Sequence, residues 1–293
     1  MAIIIDGKEV AAKVRGELKA QVDEMVRTKK RRPCLAVILV GEDPASKIYV
    51  RNKQRACAEV GIADELYTLA ADIKQESLEY IIDSLAERRD IDGILLQMPI
   101  PKHLDPKRAL VHIPPEKDVD AFLPENVGHI MRGDYSFLPC TPAGVMELLH
   151  RYNIDPAGKE CVVVGRSDIV GKPMAMMLLH ENGTVTICHS RTQSLAEHTR
   201  RADILVSAVG RAKLITADMV KDGAVVIDVG MNRDENGKLC GDVDFASVEP
   251  KAGFITPVPG GVGPMTVAML MKNTVTAAEK YIAEEGVRNE QRG

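Results

Sequence analysis

The stretch Cys161-Val-Val-Val-Gly165-Arg-Ser-Asp-Ile-Val-Gly171-Lys-Pro173 decides how this chain reads. A run of valines makes a strand, Gly165 permits a tight turn, and a helix can start at Gly171. Strand, glycine turn and helix N-terminus in that order form the context of a dinucleotide fingerprint, because the helix end attracts pyrophosphate. The motif is not G-x-G-x-x-G, since Ser167 stands where the second glycine would be. On spacing alone, cofactor binding and a structural strand-to-helix turn are equally good readings. The next strand, Thr184-Val-Thr-Ile-Cys188, tips the balance. An NAD site asks for an acidic residue at its end, whereas His189, Ser190, Arg191 and Thr192 follow. Hydroxyls and an arginine suit a 2′-phosphate, and Arg166 after the first glycine can reach the same group. NADP is therefore expected over NAD; the bland alternative is that both arginines are solvated loop charges.

Outward from this stretch, strands are expected at Ile204–Ser207 and Ala224–Val229, with helices after Val170 and Ser194. Toward the N-terminus the same alternation appears. Val10, Val14, Leu18 and Met25 mark a helix from Lys8 to Thr28, and Cys34–Val40 is a continuous apolar strand. Asp43 can cap and Pro44 can open a helix that Gly61 closes. A strand near Glu65–Leu69, a helix near Lys74–Arg89 and a strand at Gly93–Gln97 follow. Between Pro99 and Pro142 eight prolines suggest a long connection carrying functional loops. The turn Pro257-Val-Pro-Gly-Gly-Val-Gly-Pro264 precedes a helix at Met265–Ala283. Helices alternating with apolar strands predict an α/β protein of two α/β domains, the second a Rossmann-like, doubly wound parallel sheet. The expected boundaries are 1–140 and 141–264, with the helix 265–285 packing back on the first domain.

Composition narrows the function. The 293 residues suit about two domains at roughly 150 residues each. Charged residues at 27% and hydrophobic ones at 45% are ordinary globular values. Lys+Arg 38 against Asp+Glu 42 leaves no positive field for a nucleic-acid backbone, and 3% aromatics leave few rings for stacking bases. The run Lys29-Lys30-Arg31-Arg32 suits a helix C-terminus rather than a phosphate patch. Six scattered cysteines without a C-x-x-C pair indicate neither zinc nor a disulfide framework, so no metal is expected. The N-terminus carries no signal-peptide pattern and no run is long enough to span a bilayer, which makes a cytoplasmic protein without membrane partners the expectation.

Tyr49 and Lys53 lie four residues apart on a predicted helix and share a face. Taken alone, such a pair is usually a solvated lysine beside a packing tyrosine. Other elements supply company: Gln97 where a strand runs out into Met98-Pro-Ile-Pro101, and Asp118 and Asp120 in Lys117-Asp-Val-Asp120. Strand ends in open α/β sheets are where ligands bind.

Five segments together carry a resemblance over nearly the whole chain. They are Gly41-Glu-Asp-Pro-Ala-Ser-Lys-Ile-Tyr49-Val-Arg-Asn-Lys53, Gly93-Ile-Leu-Leu-Gln-Met-Pro-Ile-Pro101, Lys117-Asp-Val-Asp120, Gly165-Arg-Ser-Asp-Ile-Val-Gly-Lys-Pro173 and Pro257-Val-Pro-Gly-Gly-Val-Gly-Pro-Met-Thr266. In this order they resemble the bifunctional methylenetetrahydrofolate dehydrogenase / methenyltetrahydrofolate cyclohydrolases of one-carbon metabolism. Ala121, where that family often has glycine, and Met98, where it usually has leucine, depart from the pattern. The resemblance implies two domains facing each other across a folate cleft, a homodimer, and NADP as cofactor. It implies oxidation of 5,10-methylenetetrahydrofolate to the methenyl cation, then hydrolysis to 10-formyltetrahydrofolate. Lys53 matches the family's catalytic lysine with Tyr49 and Gln97 around it, and Asp118 matches the carboxylate that holds the pterin ring. The implied cofactor set is Gly165, Arg166, Ser167, Ser190, Arg191 and Met231, and Pro257, Gly260 and Gly261 join the implied substrate set. The chemistry is consistent: an amine among hydrogen-bonding groups in a partly dry cleft can exchange protons near neutral pH, and a carboxylate can accept paired N–H donors of an aminopyrimidine. Two other classes compete. An amino-acid dehydrogenase of the same plan should carry a substrate lysine in a glycine-rich loop, absent from the first domain, and a non-enzymatic NADP-binding regulator would not need Lys53, Gln97 and Asp118 together.

Overall fold

The structure is a computed structural model that describes residues 1–290. In chain order the elements are β1 (Ile3–Ile4), α1 (Gly7–Lys29), β2 (Cys34–Val40), α2 (Pro44–Val60), β3 (Ala63–Leu69), α3 (Gln75–Ala86) and β4 (Gly93–Leu96). Then come α4 (Pro106–Leu110), α5 (Pro124–Arg132), α6 (Cys140–Arg151), β5 (Glu160–Val164), α7 (Gly171–His180), β6 (Thr184–Cys188) and α8 (Leu195–Thr199). The rest are β7 (Ile204–Ser207), β8 (Val225–Asp228), β9 (Asn232–Arg233), β10 (Leu239–Cys240), α9 (Phe245–Val248), β11 (Phe254–Ile255) and α10 (Val262–Glu290). The proline-rich segment thus holds two short α-helices with a 3-10 turn, Pro115–Lys117, between them, and leads into a third α-helix, α6. Asp105 caps the first, its carboxylate accepting from the amides of Lys107 and Arg108.

The chain forms two compact α/β units, and neither is contiguous in sequence. One comprises Met1–Ala12, Ile130–Asp134 and Pro139–Met269; the other comprises Lys13–His129, Tyr135–Leu138 and the residues from Leu270 on. This departs from the expected boundaries at the N-terminus. Ile3 and Ile4 make a parallel pair with Phe254 and Ile255, so the first strand completes the sheet of the later unit rather than starting the earlier one. Two residues are too short to show a strand period, and their partner lies some 250 positions away in the chain.

In the unit built mostly from 139–269, six parallel strands run in the order β1-β11-β8-β7-β5-β6. The chain passes from β5 outward to β6 and then returns to β7 on β5's other side, which makes the β5/β7 carboxyl ends a topological switch point. Val162, Val164, Leu205 and Val226 fill its core, and β7 and β8 are buried along their whole length. In the other unit three parallel strands run β3-β2-β4. All seven residues of the central β2 are buried, as a strand covered on both faces requires. Leu78, Ile82 and Leu85 of α3 pack on it at helical spacing.

Candidate active site

In the three-stranded unit, α2 follows the carboxyl end of β2. Asp43 opens it, its carboxylate accepting the Ser46 amide at 2.7 Å, Pro44 stands in the first turn, and Gly61 at φ +89° ends it. This capping fixes the phase of the helix, and with it the face shared by Tyr49 and Lys53. β4 ends beside β2, and the Gln97 amide donates to Ile38 O at 2.9 Å. The Gln97 side chain is buried. It accepts from Lys53 Nζ at 3.0 Å through Oε1, while its own Nε2 donates to Met98 O at 2.7 Å. The second bond orients the amide and turns its acceptor toward the lysine. Lys53 is half-buried, and Tyr49, one helical turn earlier, is 41% exposed.

Asp118 is built into different contacts. Its carboxylate is buried, and Oδ2 accepts from the Leu123 amide and from Asn126 Nδ2, both at 2.9 Å. Burial pushes its carboxyl above the usual range, with the Asn126 and Leu123 hydrogen bonds opposing the shift. The side chain therefore anchors the entry to α5 whatever else it does. Ala121 adopts φ +56°, the left-handed region that favours glycine. Sequence reading missed Asn273, a buried residue of α10 whose Nδ2 donates to Val119 O at 2.8 Å and Leu138 O at 2.9 Å. It pins the 118–120 segment from about 150 residues away, and nothing local in the sequence signals it.

In the six-stranded unit, Gly165 leaves β5 at φ +139°, and a Cβ there would lie 2.5 Å from Ala208 O. A Cβ on Gly171 would lie 2.3 Å from Gly165 O. Both positions therefore need glycine, the first for conformation and the second for the closeness of the turn. Ser167 is not a failed glycine: its Oγ accepts the amides of Val170 and Gly171, both at 3.2 Å, and so secures the entry to α7. The Gly165 amide donates to Cys188 O at 2.8 Å, so the turn after β5 and the loop after β6 leave the sheet side by side. In that second loop Thr192 Oγ1 accepts the His189 amide and His189 Nδ1 accepts the Arg191 amide. Arg166, Ser190 and Arg191 are all exposed, and among the described residues neither guanidinium pairs with a carboxylate. Met231 follows β8 and is 53% exposed. A glycine turn at a switch point, with unpaired arginines on adjacent loops, fits a phosphorylated dinucleotide.

The Pro257–Gly261 turn lies in this same unit. Gly260 at φ +111° and Gly261 are buried, and a Cβ on Gly7 would fall 1.7 Å from Gly261 O. Close packing against the turn thus accounts for Gly7, the positive φ accounts for Gly260, and Gly261 is required because a Cβ there would lie 2.6 Å from Pro257 O, while Pro257 stays half-buried. The structure joins Lys53 to Gln97, and the Gly165 turn to the Arg191 loop; Asp118 and the Pro257 turn each belong to other local networks. Among the described residues no cluster of His, Cys, Asp and Glu could hold a metal ion.

Two family models match the chain: the catalytic domain of tetrahydrofolate dehydrogenase/cyclohydrolase over residues 5–120, and the NAD(P)-binding domain of the same enzymes over residues 139–282. The Bifunctional protein FolD of Moorella thermoacetica is 58% identical, over 95% of this chain and 99% of that protein. The crystal structure of the bifunctional FolD methylenetetrahydrofolate dehydrogenase/cyclohydrolase of Campylobacter jejuni superposes with a TM-score of 0.93 at 48% identity, covering 96% of this chain and 99% of that one. The Trypanosoma brucei enzyme, solved with NADP cofactor and an inhibitor, superposes with a TM-score of 0.90 at 42% identity, covering 95% and 98%.

Proposed function

Because the chain belongs to the tetrahydrofolate dehydrogenase/cyclohydrolase family, we propose that it oxidises 5,10-methylenetetrahydrofolate with NADP and then hydrolyses the methenyl cation to 10-formyltetrahydrofolate. The observation that carries this reading is the Lys53 Nζ to Gln97 Oε1 bond of 3.0 Å at the carboxyl end of the small sheet. It holds a half-buried amine at one place, where ligands of open α/β sheets bind.

Hydrolysis forms a C–O bond and breaks the carbon's bond to N5. Of the attacking water's two protons, one ends on N5 and the other is released. Lys53 Nζ is the group for that exchange, since Gln97 fixes its position and Tyr49 shares its helix face. Asp118 holds the pterin ring in addition to capping α5. Gly165, Arg166, Ser167, Ser190, Arg191 and Met231 would hold NADP, with the arginines on its 2′-phosphate. When bound, that nucleotide supplies the hydride acceptor, and the residues around it align the folate's methylene carbon. Pro257, Gly260 and Gly261 complete the substrate set by shaping the backbone before α10.

The same reading makes the protein a cytoplasmic homodimer without nucleic-acid or membrane partners. No helix among the described residues is long and apolar enough to cross a membrane. Light scattering on an eluted sample should give twice the 32.0 kDa chain mass. The activity is tested by absorbance: the protein with methylenetetrahydrofolate and NADP should produce NADPH, and methenyltetrahydrofolate alone should be hydrolysed faster than in buffer. Absence of both signals removes the assignment.

A further inference from the structure

Two carboxylates in the six-stranded unit are buried without a cation. Asp228 is 3% exposed and Asp242 is 0% exposed, and neither forms an ion pair among the described residues. A buried carboxylate is costly unless hydrogen bonds replace its water. Here they do. Asp228 Oδ1 accepts the amides of Gly230 and Asp242, and its Oδ2 accepts that of Val243, each at 2.9 Å. Asp242 Oδ2 accepts the amides of Val209 at 2.7 Å and Gly210 at 3.3 Å and the Ser207 hydroxyl at 3.2 Å. Its Oδ1 accepts the Arg211 amide and Asn232 Nδ2, both at 2.9 Å. Asp228 therefore sets the backbone of Asp242, and Asp242 gathers the loop that leaves β7. Room is made by two glycines: a Cβ on Gly241 would lie 1.8 Å from Asp228 Oδ2, and one on Gly230 would lie 2.3 Å from Asp242 Oδ1.

That loop is a wall of the switch point. Ala208, its first residue, is the one whose carbonyl abuts Gly165. We propose that Asp242 is a positioning residue for the nucleotide, fixing the 208–211 wall opposite the Gly165 turn through the amides of Val209, Gly210 and Arg211, with Asp228 holding Asp242 in place. This rests on the reading that NADP occupies the Gly165–Gly171 turn. A carboxylate suits the task because both of its oxygens accept, and five donors converge on them. An amide in its place turns an NH₂ toward N–H groups on one side or the other, so the loop must shift.

The test compares Asp242→Asn and Asn232→Ala with the wild-type protein by calorimetric titration with NADP, steady-state kinetics, and the hydrolysis of methenyltetrahydrofolate, which consumes no nucleotide. The inference expects the NADP Kd and KM to rise at least tenfold in Asp242→Asn and about threefold in Asn232→Ala. Turnover at saturating NADP should stay within threefold and hydrolysis within twofold. NADP affinity within 1.5-fold of wild type in both variants overturns it. So does a loss of hydrolysis as large as the loss of NADP affinity, because that is the mark of a purely structural role. If Asp242→Asn does not fold, Asn232→Ala decides by the same criteria. Failure of the wild-type protein to bind NADP sinks the nucleotide assignment instead, so the two outcomes are distinguishable.

Discussion

At the residue scale, Lys53 is a surface-capable amine made specific by one bond to Gln97. Lys53→Met keeps the length of the side chain and removes the amine. Its expected effect is a loss of methenyl hydrolysis of about 10²–10⁴-fold, the usual worth of a positioned acid-base group, with a smaller loss of NADP reduction. Separate assays of the two activities check it, and hydrolysis near wild type refutes the role. The proposed pterin contact of Asp118 and its observed hold on the entry to α5 separate experimentally. Asp118→Asn can still accept from Leu123 and Asn126 through its remaining oxygen, so thermal stability should fall by only a few degrees. The folate KM should rise at least tenfold in both reactions; a stability loss with unchanged KM would leave only the capping duty. Ala121 shows what a sequence departure means in space. At φ +56° it holds a conformation that glycine adopts freely, so the departure is a local backbone cost inside the 118–123 turn.

At the scale of elements, the loop after β6 and the turn after β5 are neighbours because Gly165 bonds Cys188. The proposed 2′-phosphate contacts come from both. Losing a charged contact costs about 1.5–3 kcal/mol, so Arg166→Ala and Arg191→Ala should each lower the NADP-to-NAD preference roughly tenfold to hundredfold. An unchanged ratio in both variants means the assignment is wrong. The Asp228–Asp242 network makes a pH prediction. Burial, aided by the Asp242 charge, pushes the Asp228 carboxyl up to about 6. Between the unfolded value of about 4 and this value, the folded chain binds more protons than the unfolded one. The stability contributed by that proton is present below about pH 4 and is lost as pH rises through about 6. Asp228→Asn removes this component, worth at most about 1.4 kcal/mol per pH unit. Urea unfolding between pH 4.5 and 6.5 should show wild-type stability falling relative to the variant; parallel profiles contradict it.

At the scale of the whole molecule, the chain's first residues finish a sheet whose other strands lie beyond residue 159. Removing Ala2–Ile5 discards the burial of Ile5 and the amide bonds of Ala2 to Glu249, Ile3 to Gly253 and Ile5 to Ile255. At about 2 kcal/mol for the side chain and about 1 for each good bond, the loss is about 3–5 kcal/mol. Thermal unfolding should drop by roughly 10 °C, given about 2–4 °C per kcal/mol for a unit of this size. The sequence by itself determined what repeats or caps over short range. It gave the valine strand and glycine turn of Gly165–Gly171, the Asp43–Pro44 start of α2, and hence Tyr49 and Lys53 on one face. These depend on backbone sterics and on neighbours within one or two helical turns. Only the tertiary structure decided which amines and carboxylates have partners. Lys53 meets Gln97 across 44 residues, Asp242 collects amides 31 to 33 positions away, and Asn273 reaches Val119 across 154. Such bonds follow from which strands become neighbours, and strand order is set by burying whole apolar faces together, a property that no local window of sequence contains.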